Sequence, residues 1–178
     1  MGQGRMKKLS LKTAMQICTT AVRVCEQNGW GPICVYVKDP SNNTIASAKM
    51  DGMTSVAFPK FAEAKASTAV NLGLSSRGFR DKYSDGSVEK GAQMMNMVAI
   101  MDGGMATFPG GVLIKCKESK SVLGSVGVSG ATGDQDEFLA LNAAKESIQK
   151  AELDGVDFDP PSSVLDDIEE KDLKKYIL

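Results

Sequence analysis

Apolar positions recur first at helical spacing. Leu11, Met15, Cys18, Val22 and Cys25 fall on one side of a helix that Ser10 can cap and Asn28-Gly29 can close. Cys18 and Cys25, seven residues apart, are expected to pack as small hydrophobes on its buried face. The pattern then turns to β. Residues 33–37 are β-rich, Asp39-Pro40-Ser41-Asn42-Asn43 is turn chemistry, and residues 44–48 return as a second strand that ends near Met50-Asp51-Gly52-Met53. From about Ser55 to Leu72 alanines dominate, and Ala62, Ala64, Ala66 and Ala69 fit a helix packed closely on a sheet. Lys65 lies among them, with a snorkelling stem and solvated tip as one reading and a ligand-facing role as the other.

Residues 73–90 read as a loop with one helical turn, carrying Arg77, Arg80 and Lys82 as a local basic patch. A short helix is predicted over 89–97. Pro109-Gly110-Gly111 turns the chain into a strand at 112–116, and Glu118-Ser119-Lys120 turns it back into a strand at 121–128. A last long helix is predicted over 134–150, with Phe138, Leu141, Ala144 and Ile148 on one face. Hairpins joined through helices in this order imply an α+β fold with an antiparallel sheet. After Asp159-Pro160-Pro161, Ser162 or Ser163 can cap an amphipathic segment with Leu165, Ile168, Leu173 and Tyr176 at near-helical spacing. It can dock on its own domain or on a partner.

Composition narrows the function classes. The 178 residues carry a net charge of −1, which gives no reason to expect nucleic acid or an anionic membrane as partner. The average conceals an asymmetry: from Ala151 onward nine acids face three lysines, a net of −6, which leaves +5 over residues 1–150. The start, MGQGRMKKLSLK, has no apolar run of the secretion-signal kind, and no stretch reaches the roughly 20 apolar residues of a membrane span. Cys18, Cys25, Cys34 and Cys116 form no C-x-x-C pair and read as reduced thiols of a cytoplasmic protein. The chain has no histidine. That removes the usual general base, zinc ligand and proximal haem ligand together, and with them any Ser-His-Asp or Cys-His arrangement.

The glycines of residues 124–133 precede a helix in the manner of a phosphate cradle, but the Lys-Ser/Thr of a P-loop is missing. Asp134, Asp136 and Glu137 crowd the helix start instead, where N-capping and dipole compensation are expected of them ahead of a hard-cation site. Asp51, before a glycine, reads as a turn residue. Met94, Met95, Met97, Met101 and Met105 fall within twelve residues, a density suited to filling a core or an adaptable interface.

Several of these segments, taken in order, resemble one family. Leu9-Ser10-Leu11-Lys12-Thr13-Ala14, Lys49-Met50-Asp51-Gly52, residues 62–69, Phe108-Pro109-Gly110-Gly111, and Gly124-Ser125-Val126-Gly127-Val128-Ser129-Gly130 followed by Asp136-Glu137 are similar to the GlcG/HbpS-like haem-binding domains, also called haem-degrading domains. The resemblance spans about residues 9–150 and divides the chain into a domain over 1–150 and an acidic extension over 151–178, possible helix included. It implies a profilin-like fold, a five-stranded antiparallel sheet with helices on both faces, and self-assembly anywhere from dimer to octamer. It also implies a small-ligand site, with haem or a similar tetrapyrrole as the first guess, around Met50, Asp51, Lys65, Gly110, Gly111, Ser129 and Gly130. With no histidine, a haem here takes Met, Cys, Tyr or Lys as axial ligand, or is held by its faces and propionates alone, so the cofactor stays open. Lys65, Arg77 or Arg80 are the expected partners of ligand carboxylates. A structural assembly protein with a vestigial cleft, reaching partners through residues 160–178, is the alternative. An enzyme using Asp51 or Glu137 as base is a third reading, for which the chain offers no triad or metal set.

Overall fold

A computed structural model describes residues 8–102 and 104–173. Residues 1–7 and 174–178, the latter with Tyr176, lie outside the described residues. The elements run α1 (Leu11–Asn28), β1 (Cys34–Lys38), β2 (Thr44–Lys49), α2 (Phe58–Leu72), α3 (Ser76–Tyr83), α4 (Val88–Ile100), β3 (Gly111–Cys116), β4 (Val122–Ser129), α5 (Gly133–Lys150), β5 (Val156–Asp159) and α6 (Glu170–Leu173). The five strands form one antiparallel sheet in the order β2-β1-β4-β3-β5.

Local chemistry sets the turns. Ser10 caps α1 by accepting from Thr13 N, and Gly29 closes it in the left-handed conformation at φ 68°. In the β1–β2 hairpin the Asp39 carboxylate accepts from the backbone N–H groups of Ser41 and Asn43, an Asx turn that lets Asn42 adopt φ 65°.

The two faces of the sheet are covered differently. On one, α1 and α5 pack together over Val35, Val37, Val112, Ile114, Val126 and Val128 and complete the hydrophobic core. The buried side of α1 is Ala14, Ile17, Cys18, Ala21 and Cys25. Leu11 and Met15, expected inward, are exposed, because the smaller Ala14 and Ala21 let α1 lie closer to α5 on a rotated face. On the other face α2 lies directly on β4, β1 and β3. Gly111 and Gly127 are cross-strand partners beneath it. A Cβ on Gly127 would lie 2.6 Å from the Ala66 nitrogen, and one on Gly111 would lie 2.8 Å from the Lys65 carbonyl carbon. Glycine below and alanine above let the helix backbone rest on the strand backbones.

The sequence pattern yields four strands, and the fifth comes from the acidic segment. In β5, Val156 and Phe158 pack on the core beside Cys116 and Ile114, while Asp157 pairs with Lys120 on the hairpin opposite. Alternating acids obscure a strand pattern, yet they suit the outward face of an exposed edge. Beyond it the chain folds back onto its own domain: Leu165 and Leu173 are buried, and the Trp30 indole N–H donates to Leu173 O at 3.0 Å. The segment expected as a loop with one turn contains the two turns of α3. No helix among the described residues is long and apolar enough to cross a membrane.

The close approach of α2 predicts unequal glycines. Gly127→Ala is expected to cost about 3 kcal/mol, since backbone must move on both sides. Gly31→Ala, with open space around its Cβ, should stay within about 0.5 kcal/mol. Urea unfolding of both variants checks the contrast, and equal losses would refute it.

Candidate functional site

The site grows out of the α2 contact. Because α2 lies so low on the glycines, Lys65 on its sheet-facing side has no path to water and is 1% exposed. Its ammonium donates to Val128 O at 2.9 Å and to Asp136 Oδ2 at 2.6 Å. Asp136, 2% exposed, accepts from Ala131 N at 3.1 Å with its other oxygen. Gly110, at φ 120°, closes the space above: a Cβ there would stand 2.8 Å from Lys65 Nζ and 2.9 Å from Asp136 Cβ. The Phe108 ring lies over the ammonium, its centroid 5.0 Å from Nζ, and is itself 39% exposed.

A second pair sits alongside. Arg77 of α3 donates through Nε to both Glu137 oxygens at 2.9 Å and through Nη2 to Asp134. The first turn of α5 therefore holds cations from two other helices. The capping expected of Asp134, Asp136 and Glu137 is done instead by Thr132, whose hydroxyl accepts from Gln135 N while the Gln135 side chain returns to Thr132 N. This frees the three acids for cross-helix pairing. Lys65 is likewise no snorkelling lysine, since the glycine floor draws its whole side chain inside. The basic patch is partly neutralised: Arg77 is engaged by α5 and Arg80 pairs with Asp81, while Lys82 lies over the Tyr83 ring.

Burial raises the Asp136 pKa from its ordinary 3.8 to about 6, against the pull of Lys65, and burial lowers that of Lys65 against the pull of Asp136. Glu137 is also pushed up by burial, with Arg77 opposing. Desolvation thus acts against both charges of the central pair, while their 2.6 Å contact favours them. The buried thiols of Cys18 and Cys25 are pushed up to about 11 by burial, which makes them poor nucleophiles.

The seven residues expected around a cleft fall in two places. Lys65, Gly110 and Gly111 meet under Phe108, and Gly111 N donates to Ser76 Oγ at 2.8 Å. Ser129 and Gly130 continue β4 beside Cys34 and the Pro32 carbonyl, and lead into the Ala131 amide that binds Asp136. Met50 and Asp51 lie on the far side of Ile33, where Met50 Sδ accepts from Ile33 N at 3.4 Å. They open onto a cleft of about 380 Å³ shared with Val22, Glu26, Ala48 and Lys49. Asp51 is exposed in the turn closed by Gly52 at φ 74°.

Sequence reasoning missed the aromatic cover. Phe58, Phe61 and Phe108 stack edge to face at 6.3 and 5.7 Å, and Phe61 is 41% exposed. The spacing of Phe58 and Phe61 on α2 was the available signal; the arrival of Phe108 from the loop before β3 was not. Among the described residues, no cluster of three or more His, Cys, Asp or Glu side chains is placed to hold a metal.

A family model described as haem degrading protein HbpS-like matches residues 9–145. The chain belongs to the HbpS-like family. Its fold is that of solved relatives. Klebsiella pneumoniae protein ORFY, of family DUF336, is 22% identical with a TM-score of 0.69, over 83% of this chain and 96% of that one. A PduOC–haem complex is 22% identical with a TM-score of 0.68, over 78% and 94%. A double mutant of Streptomyces reticuli HbpS is 26% identical with a TM-score of 0.65, over 82% and 92%. No match emerges among the curated proteins. Family membership agrees with a five-stranded antiparallel sheet between helices and with a haem or small-ligand-binding domain.

If Lys65 is what keeps Asp136 charged, removing it has a pH signature. Lys65→Met is expected to cost about 3 kcal/mol or more at pH 7, because the buried Asp136 loses its counter-charge and must take up a proton to fold. With the lowering influence of Lys65 gone, Asp136 in the folded state keeps its proton above pH 6, whereas the unfolded chain has released it. Stability then falls by about 1.4 kcal/mol per pH unit as pH rises past 6, whereas in the wild type the slope from this group fades above its pKa of about 6. Urea unfolding of both proteins at pH 6 and 7 should show the deficit widening. An equal deficit at both pH values would assign the loss to packing.

Proposed function

We propose that this domain binds a flat, largely apolar small molecule, haem or a related tetrapyrrole, and does so as a homo-oligomer in a reducing cytoplasm. The exposed aromatic surface of Phe61 and Phe108 over the buried Lys65–Asp136 pair carries the reading. Aromatic faces held rigidly against a helix offer a stacking platform, and the ion pair behind Phe108 fixes its ring at little entropic cost. Lys65, Gly110, Gly111, Ser129 and Gly130 form the frame beneath the ligand, while Met50 and Asp51 open onto the separate cleft beside α1.

Two parts of the first expectation change. Lys65 and Arg77 are committed to Asp136, Glu137 and Asp134, so carboxylates of a ligand are met by solvent or by other exposed cations. Haem without histidine is held by its faces or by a sulfur ligand. The family membership, the haem in the PduOC relative and the four free cysteines support the reading.

Hemin titration followed in the Soret region tests it. A saturable shift at one equivalent per subunit is expected, weakened about tenfold in Phe108→Ala, which removes roughly 1.5 kcal/mol of stacking from a partly exposed position. Non-stoichiometric association that Phe108→Ala leaves unchanged would overturn it.

A further inference from the structure

Helix α2 carries a polar stripe on a different side from Phe58 and Phe61. Lys60, Glu63, Ser67 and Asn71 recur three or four residues apart and so share one side of the helix. With the β1–β2 hairpin and the turn that ends α4, this stripe bounds a groove of about 550 Å³. Lys38 of β1 lines it and is 4% exposed. Its ammonium donates to Asn42 O at 3.2 Å and to Glu63 Oε1 at 3.1 Å, which leaves the third N–H without an acceptor among the described residues. Ser67 is 6% exposed, yet its hydroxyl has no hydrogen-bond partner among the described residues. Asn42 Oδ1, on the hairpin wall, is buried and equally unpartnered. Buried polar groups nearly always find partners within a fold, so unmet donors and an unmet acceptor gathered around one groove point to a ligand. The two exposed charges of the groove, Lys60 and Asp102, are of opposite sign and have no ion-pair partner among the described residues.

We propose that this groove binds a small zwitterion of amino-acid size, carrying one carboxylate and one ammonium. The carboxylate accepts from the Lys38 ammonium and the Ser67 hydroxyl, with Lys60 facing it from the solvent side. The ammonium donates to the Asp102 carboxylate, with Asn42 Oδ1 as a second acceptor. Lys38 and Lys60 balance Glu63 and Asp102, so the groove has no net charge and gives neither a plain anion nor a plain cation an advantage. A flat apolar molecule gains little from such walls. The site is therefore separate from the aromatic surface of Phe61 and Phe108, and it stands whether or not that surface binds a tetrapyrrole.

Isothermal titration calorimetry of the full chain with each of the common amino acids, at about 0.1 to 20 mM, tests the proposal. At least one amino acid is expected to bind saturably at one per chain. Acetate and methylamine, each carrying one of the two charges, are expected to give no saturable heat over the same range. Ser67→Ala and Asp102→Asn should each weaken the bound amino acid about tenfold. Both variants should keep the melting temperature of the ligand-free protein, since the Ser67 hydroxyl bonds to nothing in the fold and Asp102 is exposed. Val164→Ser, at an exposed position of the C-terminal segment, should leave binding unchanged. No saturable heat with any amino acid, acetate binding as tightly as the amino acids, or binding that neither Ser67→Ala nor Asp102→Asn weakens would each overturn the proposal.

Discussion

The depth to which α2 sinks into the sheet governs most of what surrounds it. Gly111 and Gly127 leave no side chain between helix and strands, so the α2 backbone meets theirs, and the residue at position 65 faces inward whatever its chemistry. A lysine there requires an anion within reach, and the chain supplies Asp136 from the start of α5, beyond the edge of the opposite layer. Stabilisation is a poor account of that pair, because desolvating two charges offsets much of their attraction. Its geometric consequence is plainer. It ties α2 to α5 and, through the Ala131 amide, fixes the loop leaving β4.

Asp134 and Glu137 extend the same arrangement to α3 through Arg77. One helical turn thereby receives cations from two helices that arrive from the other side of the sheet. Thr132 and Gln135 make this possible by satisfying the helix terminus themselves. Had the acids been needed as caps, the buried Lys65 and the half-buried Arg77 would have lost their counter-charges, at a cost of several kcal/mol for Lys65.

How much of this was legible in the sequence follows from the range of the interactions. Elements set by neighbours in the chain are readable: the Ser10 cap, the Asx turn at Asp39, the Gly29 stop and the alanine spacing of α2 all depend on residues a few positions apart. The fold class follows from them. Interactions that join distant segments are not readable in the same way. The burial of Lys65 is decided by glycines 46 and 62 positions later, and the acids of α5 can be told from caps only when their cations are in place. The rotated face of α1 and the strand hidden among the acids of β5 escaped for the same reason, since each is defined by what packs against it. The resemblance to a family named several residues of the region, because motif positions carry long-range information that periodicity lacks.

The division between inside and outside charge also bears on function. Lys65 and Arg77, two of the cations that sequence alone would offer to a ligand, are spent within the fold, and what faces outward above Lys65 is aromatic and neutral. On the reading proposed above, a ligand there is selected by shape and by its apolar face more than by its charge. There the protein keeps its strong electrostatics behind the surface, where geometry is fixed, and presents a weakly polar surface whose contacts depend on fit.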